Sequence, residues 1–225
     1  MAGRQRWSTQ EILDTATELL RTGDTESFSM RQLAAALGTD SSSLYRHFRN
    51  KTELLLAVTD RILVTAMDGH RPEGDWRQRL TAVATRLWQA FGRHPQLAMI
   101  WGRYASIGTG SRQAMEEVLQ ALRASGLPDE AIPGQYHRLA TLLVALVSSG
   151  AAAAANTPEQ YEQKMESFRV TVLGADPERF PALTHFAREL RPITFHRTTF
   201  DEIIAAHLDV VQAAIPTDGS RLPTA

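Results

Sequence analysis

Residues 31–51 carry Arg31, Arg46, Arg49 and Lys51 against a single acid, Asp40, a net of +3 in a chain whose formal net charge is −1. Cations gathered in this way suit the phosphates of a nucleic acid. Interleaved with them are Ser41, Ser42, Ser43, Tyr45 and His47. Small hydroxyls allow close approach to base edges in a major groove, and tyrosine and histidine supply donors at its rim. The chain as a whole is not basic, which excludes a protein that coats nucleic acid or anionic membrane through bulk charge and leaves a local patch.

Other chemistries find little to work with. No cysteine is present among the 225 residues, so disulfide frameworks, zinc fingers and thiol nucleophiles are out, and a reducing, cytoplasmic setting is expected. No GxSxG, HExxH, P-loop or full GxGxxG occurs; Gly108-Thr109-Gly110 runs on into Ser111-Arg112-Gln113 and reads as a loop. The seven histidines include no i, i+4 pair, and the polar stretch after Pro192 separates His196 from His207. The expectation is therefore no enzyme, no cofactor and no metal site. Residues 1–8 are followed by no apolar signal-type region. The uncharged run Leu139–Ala155 is at the short edge of a membrane span and rich in Ala, Ser and Gly. It reads as a buried helix rather than a membrane segment.

The elements that must hold the basic segment can be read from spacing. Ser8 precedes Glu11 by three, and Ile12, Leu13, Ala16, Leu19 and Leu20 then line one helical face up to Gly23. Ser29 and Gln32 repeat the capping spacing ahead of Met30, Leu33, Ala34 and Leu37, with Gly38 as a left-handed stop. Asp40 or Ser41 caps a third short helix anchored by Leu44 and Phe48, and a fourth runs from about Thr52 to Met67. A helical trio with a glycine turn between its second and third members is a helix-turn-helix pattern. The three serines, Tyr45 and His47 are expected on its outer face. The same features also fit a solvated helical trio, since serines cap helices and Tyr45 can pack.

The run from Ser29 to Leu55, and above all Leu37-Gly38, the hydroxyl-rich Ser41–Ser43, and Leu44-Tyr45-x-His47-Phe48-x-x-Lys51-x-x-Leu54-Leu55, resembles the DNA-binding domain of TetR-family transcriptional repressors. The resemblance spans about residues 8–68. It implies that Arg31 contacts phosphate or a base, that Ser41, Ser42 and Ser43 open the recognition helix, and that Tyr45, His47 and Lys51 grip phosphates. Serines are poor bidentate readers, so discrimination is expected to lean on Arg46, Arg31 and DNA shape.

Beyond the loop 69–75 the pattern stays helical, with helices expected near 76–92, 96–106, 111–125, 135–155, 158–173, 180–190 and 199–214, punctuated by prolines and glycines. Trp88, Phe91, Trp101 and Tyr104 recur at helical spacing, with Arg103 and His137 as polar neighbours and Phe168 and Phe186 as further contributors. Such a set suits an apolar pocket with a polar rim or, equally, core packing. The resemblance favours the pocket, since that family uses this domain to bind an inducer. It also implies that helices 135–155 and 199–214 pair with their symmetry mates in a homodimer, and small residues such as Gly150 and Ala151 are expected on that face. The chain is thus expected to be all-α: a helix-turn-helix DNA-binding domain (1–68), a helical ligand-binding and dimerisation domain (69–215) and a disordered tail (216–225). The expected function is a homodimeric repressor of a palindromic double-stranded operator, released by a mostly apolar small molecule.

Overall fold

The computed structural model describes residues 7–22, 27–104 and 108–216. The expected basic arm at Arg4 and Arg6, the helix stop at Gly23 and the tail beyond Pro216 lie outside the described residues.

All regular structure among those residues is helical: α1 (Thr9–Thr22), α2 (Met30–Ala36), α3 (Ser41–Tyr45), α4 (Lys51–Met67), α5 (Trp76–Gly92), α6 (Pro95–Arg103), α7 (Thr109–Ala124), α8 (Ile132–Ala154), α9 (Pro158–Leu173), α10 (Pro181–Phe186) and α11 (Arg197–Ala213). Side chains fix where several of them begin. Ser8 accepts from the Glu11 amide at 3.2 Å while its own amide donates to Glu11 Oε2 at 2.8 Å. That reciprocal box satisfies two donors that the start of α1 would otherwise leave orphaned. The Asp75–Gln78 and Thr157–Gln160 pairs do the same for α5 and α9. Ser29 caps α2 through the Gln32 amide, but the Gln32 side chain takes the Ser29 hydroxyl instead of closing the box.

In the N-terminal unit, Ile12 and Ala16 of α1, Leu33 of α2, Leu44 of α3 and Leu54 and Val58 of α4 meet in one core, each inaccessible to solvent. Each large aliphatic among them contributes about 1.5–3 kcal/mol by leaving water. Helix α4 belongs to both units. It packs on α1 at one end and on α5, α6 and α7 along the rest, and the Arg86 guanidinium of α5 donates to its terminal carbonyls at Ala66 (2.9 Å) and Asp68 (3.3 Å).

Helix α8 is long and apolar enough to cross a membrane by length and composition. Here it packs against α5, α6, α7 and α11. Gly150 and Ala151, expected on a dimer face, instead lie inside the protomer. Ala151 is buried, and a Cβ on Gly150 would stand 2.4 Å from the Trp88 ring. The exposed positions of α8 and α11 include Thr141, Ala145, Ala206 and Val210.

Two helices are shorter than the periodicity predicts. Helix α6 stops at Arg103, and α10 spans only Pro181–Phe186 with no residue buried. A helix with no apolar face against the core lacks the packing that sustains most short helices. Prolines 95, 133, 158 and 181 lie in the first turns of α6, α8, α9 and α10. They start those helices, where the missing N–H costs nothing.

Candidate nucleic-acid interface and ligand cavity

Gly38, at φ +64°, makes the left-handed turn that swings the chain from α2 into α3, a conformation open to glycine at little cost. Asp40 then caps α3, accepting from the Ser43 amide at 2.9 Å and from the hydroxyls of Ser42 and Ser43. This separates the three serines. Ser42 is exposed and Ser41 half-buried. Ser43, expected outward, is buried and accepts from the Arg46 guanidinium at 3.1 Å. It is spent on the cap, and its place as a base reader is corrected accordingly.

What α3 and its C-cap offer to solvent is Ser42, Tyr45 and Arg46, an i, i+3, i+4 stripe beside the buried Leu44. Tyr45 is 51% exposed, which leaves half of an aromatic side chain open to a partner. His47 is exposed, and its Nδ1 lies 3.1 Å from Thr9 Oγ1, which ties the end of the recognition segment to α1. Lys51, the first residue of α4, holds its ammonium 5.9 Å from the Phe28 ring centroid. Arg31 is exposed on α2, and Arg49 is exposed just before α4. The sequence did not single out Thr9, because a threonine in a first helical turn carries no signal that it will meet a histidine 38 residues away.

A cavity of about 410 Å³ opens between α4, α5, α6, α7 and α8. Its walls are apolar, from Leu63, Leu87, Val118, Leu139 and Leu143, and its polar groups are Trp101, Ser111, Tyr136 and Thr141. No Asp, Glu, Lys, Arg or His lines it. Burial raises the pKa of Tyr136, so its hydroxyl stays protonated and able to donate.

The six expected pocket residues do not form one wall. Trp101 lines the cavity. Phe91 lies behind it, inaccessible and stacked on the Trp101 ring at 4.6 Å. Trp88 points away, against Phe200 at 4.5 Å, and lines a different cavity. Arg103 is exposed over the Tyr104 ring, Tyr104 ends α6 outside the cavity, and His137 is exposed on α8. Helical spacing places residues on a face, yet consecutive residues on α5, Leu87 and Trp88, look into separate spaces.

One feature of the cavity reaches α4 directly. Asp60 of α4 accepts from the amides of Gly110 (3.1 Å) and Ser111 (2.9 Å) and from the Ser111 hydroxyl (2.9 Å). It thereby supplies the carboxylate at the start of α7, where α7 has no cap of its own. The helices touch so closely that a Cβ on Gly110 would fall 2.4 Å from the Val64 nitrogen. Ser111 and Leu63 also line the cavity. The Gly108–Gly110 pair was the available signal for this contact, although the segment expected as a loop forms the first turn of α7 from Thr109; glycine there permits close backbone approach.

A helix-turn-helix unit joined through one shared helix to a cavity-bearing helical unit places the chain among helix-turn-helix DNA-binding regulators. Residues 12–58 match the family described as bacterial regulatory proteins, tetR family, and residues 68–211 match the tetracyclin repressor-like C-terminal domain. The chain belongs to the TetR family. It is 63% identical to a candidate transcriptional regulator from Streptomyces coelicolor A3(2) whose crystal structure superposes with a TM-score of 0.80, covering 94% of this chain and all of that one. It is 33% identical over 119 residues to the HTH-type transcriptional repressor DrrR1 of Streptomyces coeruleorubidus, 52% of this chain and 44% of DrrR1. The TetR-family protein ActR of S. coelicolor, solved in complex with actinorhodin, superposes with a TM-score of 0.82 at 25% identity over 95% of this chain and all of that one. The chain spans about half the length of the curated relatives it matches.

Proposed function

We propose that this protein is a homodimeric transcriptional repressor that binds a palindromic DNA operator and is released from it by a neutral, mostly apolar small molecule. The observation that carries the reading is the shared wall: Leu63 of α4 and the Asp60-held Ser111 both face the uncharged cavity. A ligand there sits against the helix that leads into the DNA-reading segment. Two recognition helices in a dimer must stand about 34–36 Å apart to enter successive major grooves. A ligand that fits better when α4 and α7 are displaced shifts the population away from that spacing.

The absence of charged side chains in the lining favours a neutral ligand. Tyr136, Thr141 and the Trp101 N–H offer it a few hydrogen bonds, and such sparse polar groups fix orientation in apolar pockets. ActR's complex with actinorhodin and the name DrrR1 as a repressor support the same division of labour. Exposed small and apolar residues on α8 and α11, Ala145, Ala206 and Val210, support a dimer face there.

The test is selection from a random duplex library with the full chain. Enrichment of one inverted repeat, bound by a dimer with affinity of roughly 10⁻⁸–10⁻¹¹ M at physiological salt, is the expected result. Binding without sequence preference would overturn it.

A further inference from the structure

A second cavity, of about 350 Å³, lies across α5 and α8 from the first and opens to solvent between α9 and the chain entering α11. Its inner wall is Trp88, set between the Phe200 ring at 4.5 Å and the backbone of α8 at Gly150, where no Cβ fits. The indole is thus held in place before anything binds. Tyr161, Met165 and Phe195 continue the apolar lining.

The charge of this lining is opposite in character to the first cavity's. Lys164, His196 and Arg197 belong to it, and no Asp or Glu does. Arg197 is already engaged, by Asp201 at 2.8 Å and Thr85 at 3.1 Å. Lys164 makes no ion pair among the described residues and is exposed at the edge. The first turn of α11, which begins at Arg197, has no side-chain cap, so its orphaned N–H groups add positive potential on the same side.

We propose that this second cavity binds a small aromatic anion, a carboxylate or sulfonate, one ring of which lies on Trp88 and whose charge lies near Lys164 and His196. The site is separate from the one that takes the neutral ligand. It therefore gives the protein a second input, because α5 and α8 are walls of both cavities.

The probe is 8-anilinonaphthalene-1-sulfonate, compared with its uncharged parent N-phenyl-1-naphthylamine, titrated into the full chain. The sulfonate binds saturably, one per chain, with quenching of tryptophan emission. Ala154→Trp, at an exposed position of the lining, fills the space and abolishes that binding. Ala140→Phe, in the first cavity, leaves it intact. Lys164→Gln, also at an exposed position, weakens the sulfonate by about threefold to fivefold, as loss of an exposed charge partner does, and leaves the neutral parent unchanged. The proposal is overturned if Ala154→Trp binds the sulfonate as well as the natural chain does. Loss of binding in Ala140→Phe, or equal weakening of both probes by Lys164→Gln, overturns it too. Absence of saturable binding in a sedimentation-verified dimer, as expected if a partner protomer fills the space, does the same.

Discussion

Replacing Asp60 by alanine separates two consequences that the α4–α7 contact joins. The carboxylate accepts from three donors at the start of α7, at 2.9–3.1 Å. Loss of a capping side chain costs about 0.5–2 kcal/mol, and loss of a negative charge at a helix N-terminus about 0.3–1 kcal/mol more. Asp60→Ala should therefore destabilise the fold by about 2 kcal/mol. Asp60→Asn keeps an acceptor, loses the charge and should fall between the two. The functional consequence is separate. With α7 no longer held by α4, a ligand pressing on Ser111 and Leu63 should move the DNA-reading segment less. Coupling between ligand and operator, typically 1–3 kcal/mol in allosteric proteins, should shrink by about 1 kcal/mol, roughly fivefold in the affinity ratio. Denaturant unfolding gives the first quantity. Operator binding by fluorescence anisotropy, with and without a ligand found by screening, gives the second. A variant that loses the expected stability yet retains full coupling would leave the contact a structural cap alone, with no part in signalling.

Tyr45→Ala and Lys51→Ala should weaken binding to all duplexes by a similar factor, whereas changes at Ser42 or Arg46 should alter the preferred sequence; repeating the library selection on each variant distinguishes the two. Val210→Arg, at an exposed apolar position of α11, should shift a dimer toward monomer in sedimentation while leaving helicity intact, since a buried unpaired charge at an interface costs several kcal/mol. His94 and His207 titrate below the usual histidine value, chiefly because burial disfavours their charged forms, with Arg93 and Arg21 near the first and Arg138 near the second. The unfolded chain takes up these protons first, so stability should be full above about pH 6.5 and fall as pH drops toward the depressed values. Thermal unfolding at about pH 7.5 and pH 5.5 checks this, and His207→Gln should flatten part of the dependence.

The DNA-reading unit was legible because its signals are local. Ser8 with Glu11, Gly38 and Asp40 each act within four residues, and the structure uses all three where the spacing places them. Ser43 departs from expectation because it sits beside Leu44 on the buried side of α3, where its hydroxyl meets Asp40 and Arg46. The cavity was less legible. Its wall is assembled from five helices, and the direction in which Trp88 or Phe91 points depends on helix rotations of a few tens of degrees that no single-helix period encodes. Pro95 and Pro133, expected just before their helices, lie inside the first turns of α6 and α8, where proline's fixed φ and missing donor cost nothing. Gly150 looked like an interface residue for its size. Its small size instead serves Trp88 of the same protomer.

The proposed function requires that the uncharged cavity and the DNA-reading face share one equilibrium through α4. The most direct test takes the selected operator and a small molecule that changes Trp101 emission. It measures how far each weakens the other's binding, in the natural chain and in Ala140→Phe, whose cavity is filled. In the natural chain each should weaken the other by the same factor, as linkage requires, and the filled variant should lose both the ligand's binding and its effect on DNA. A molecule that occupies the cavity, shown by its loss in Ala140→Phe, and leaves operator affinity unchanged would contradict it.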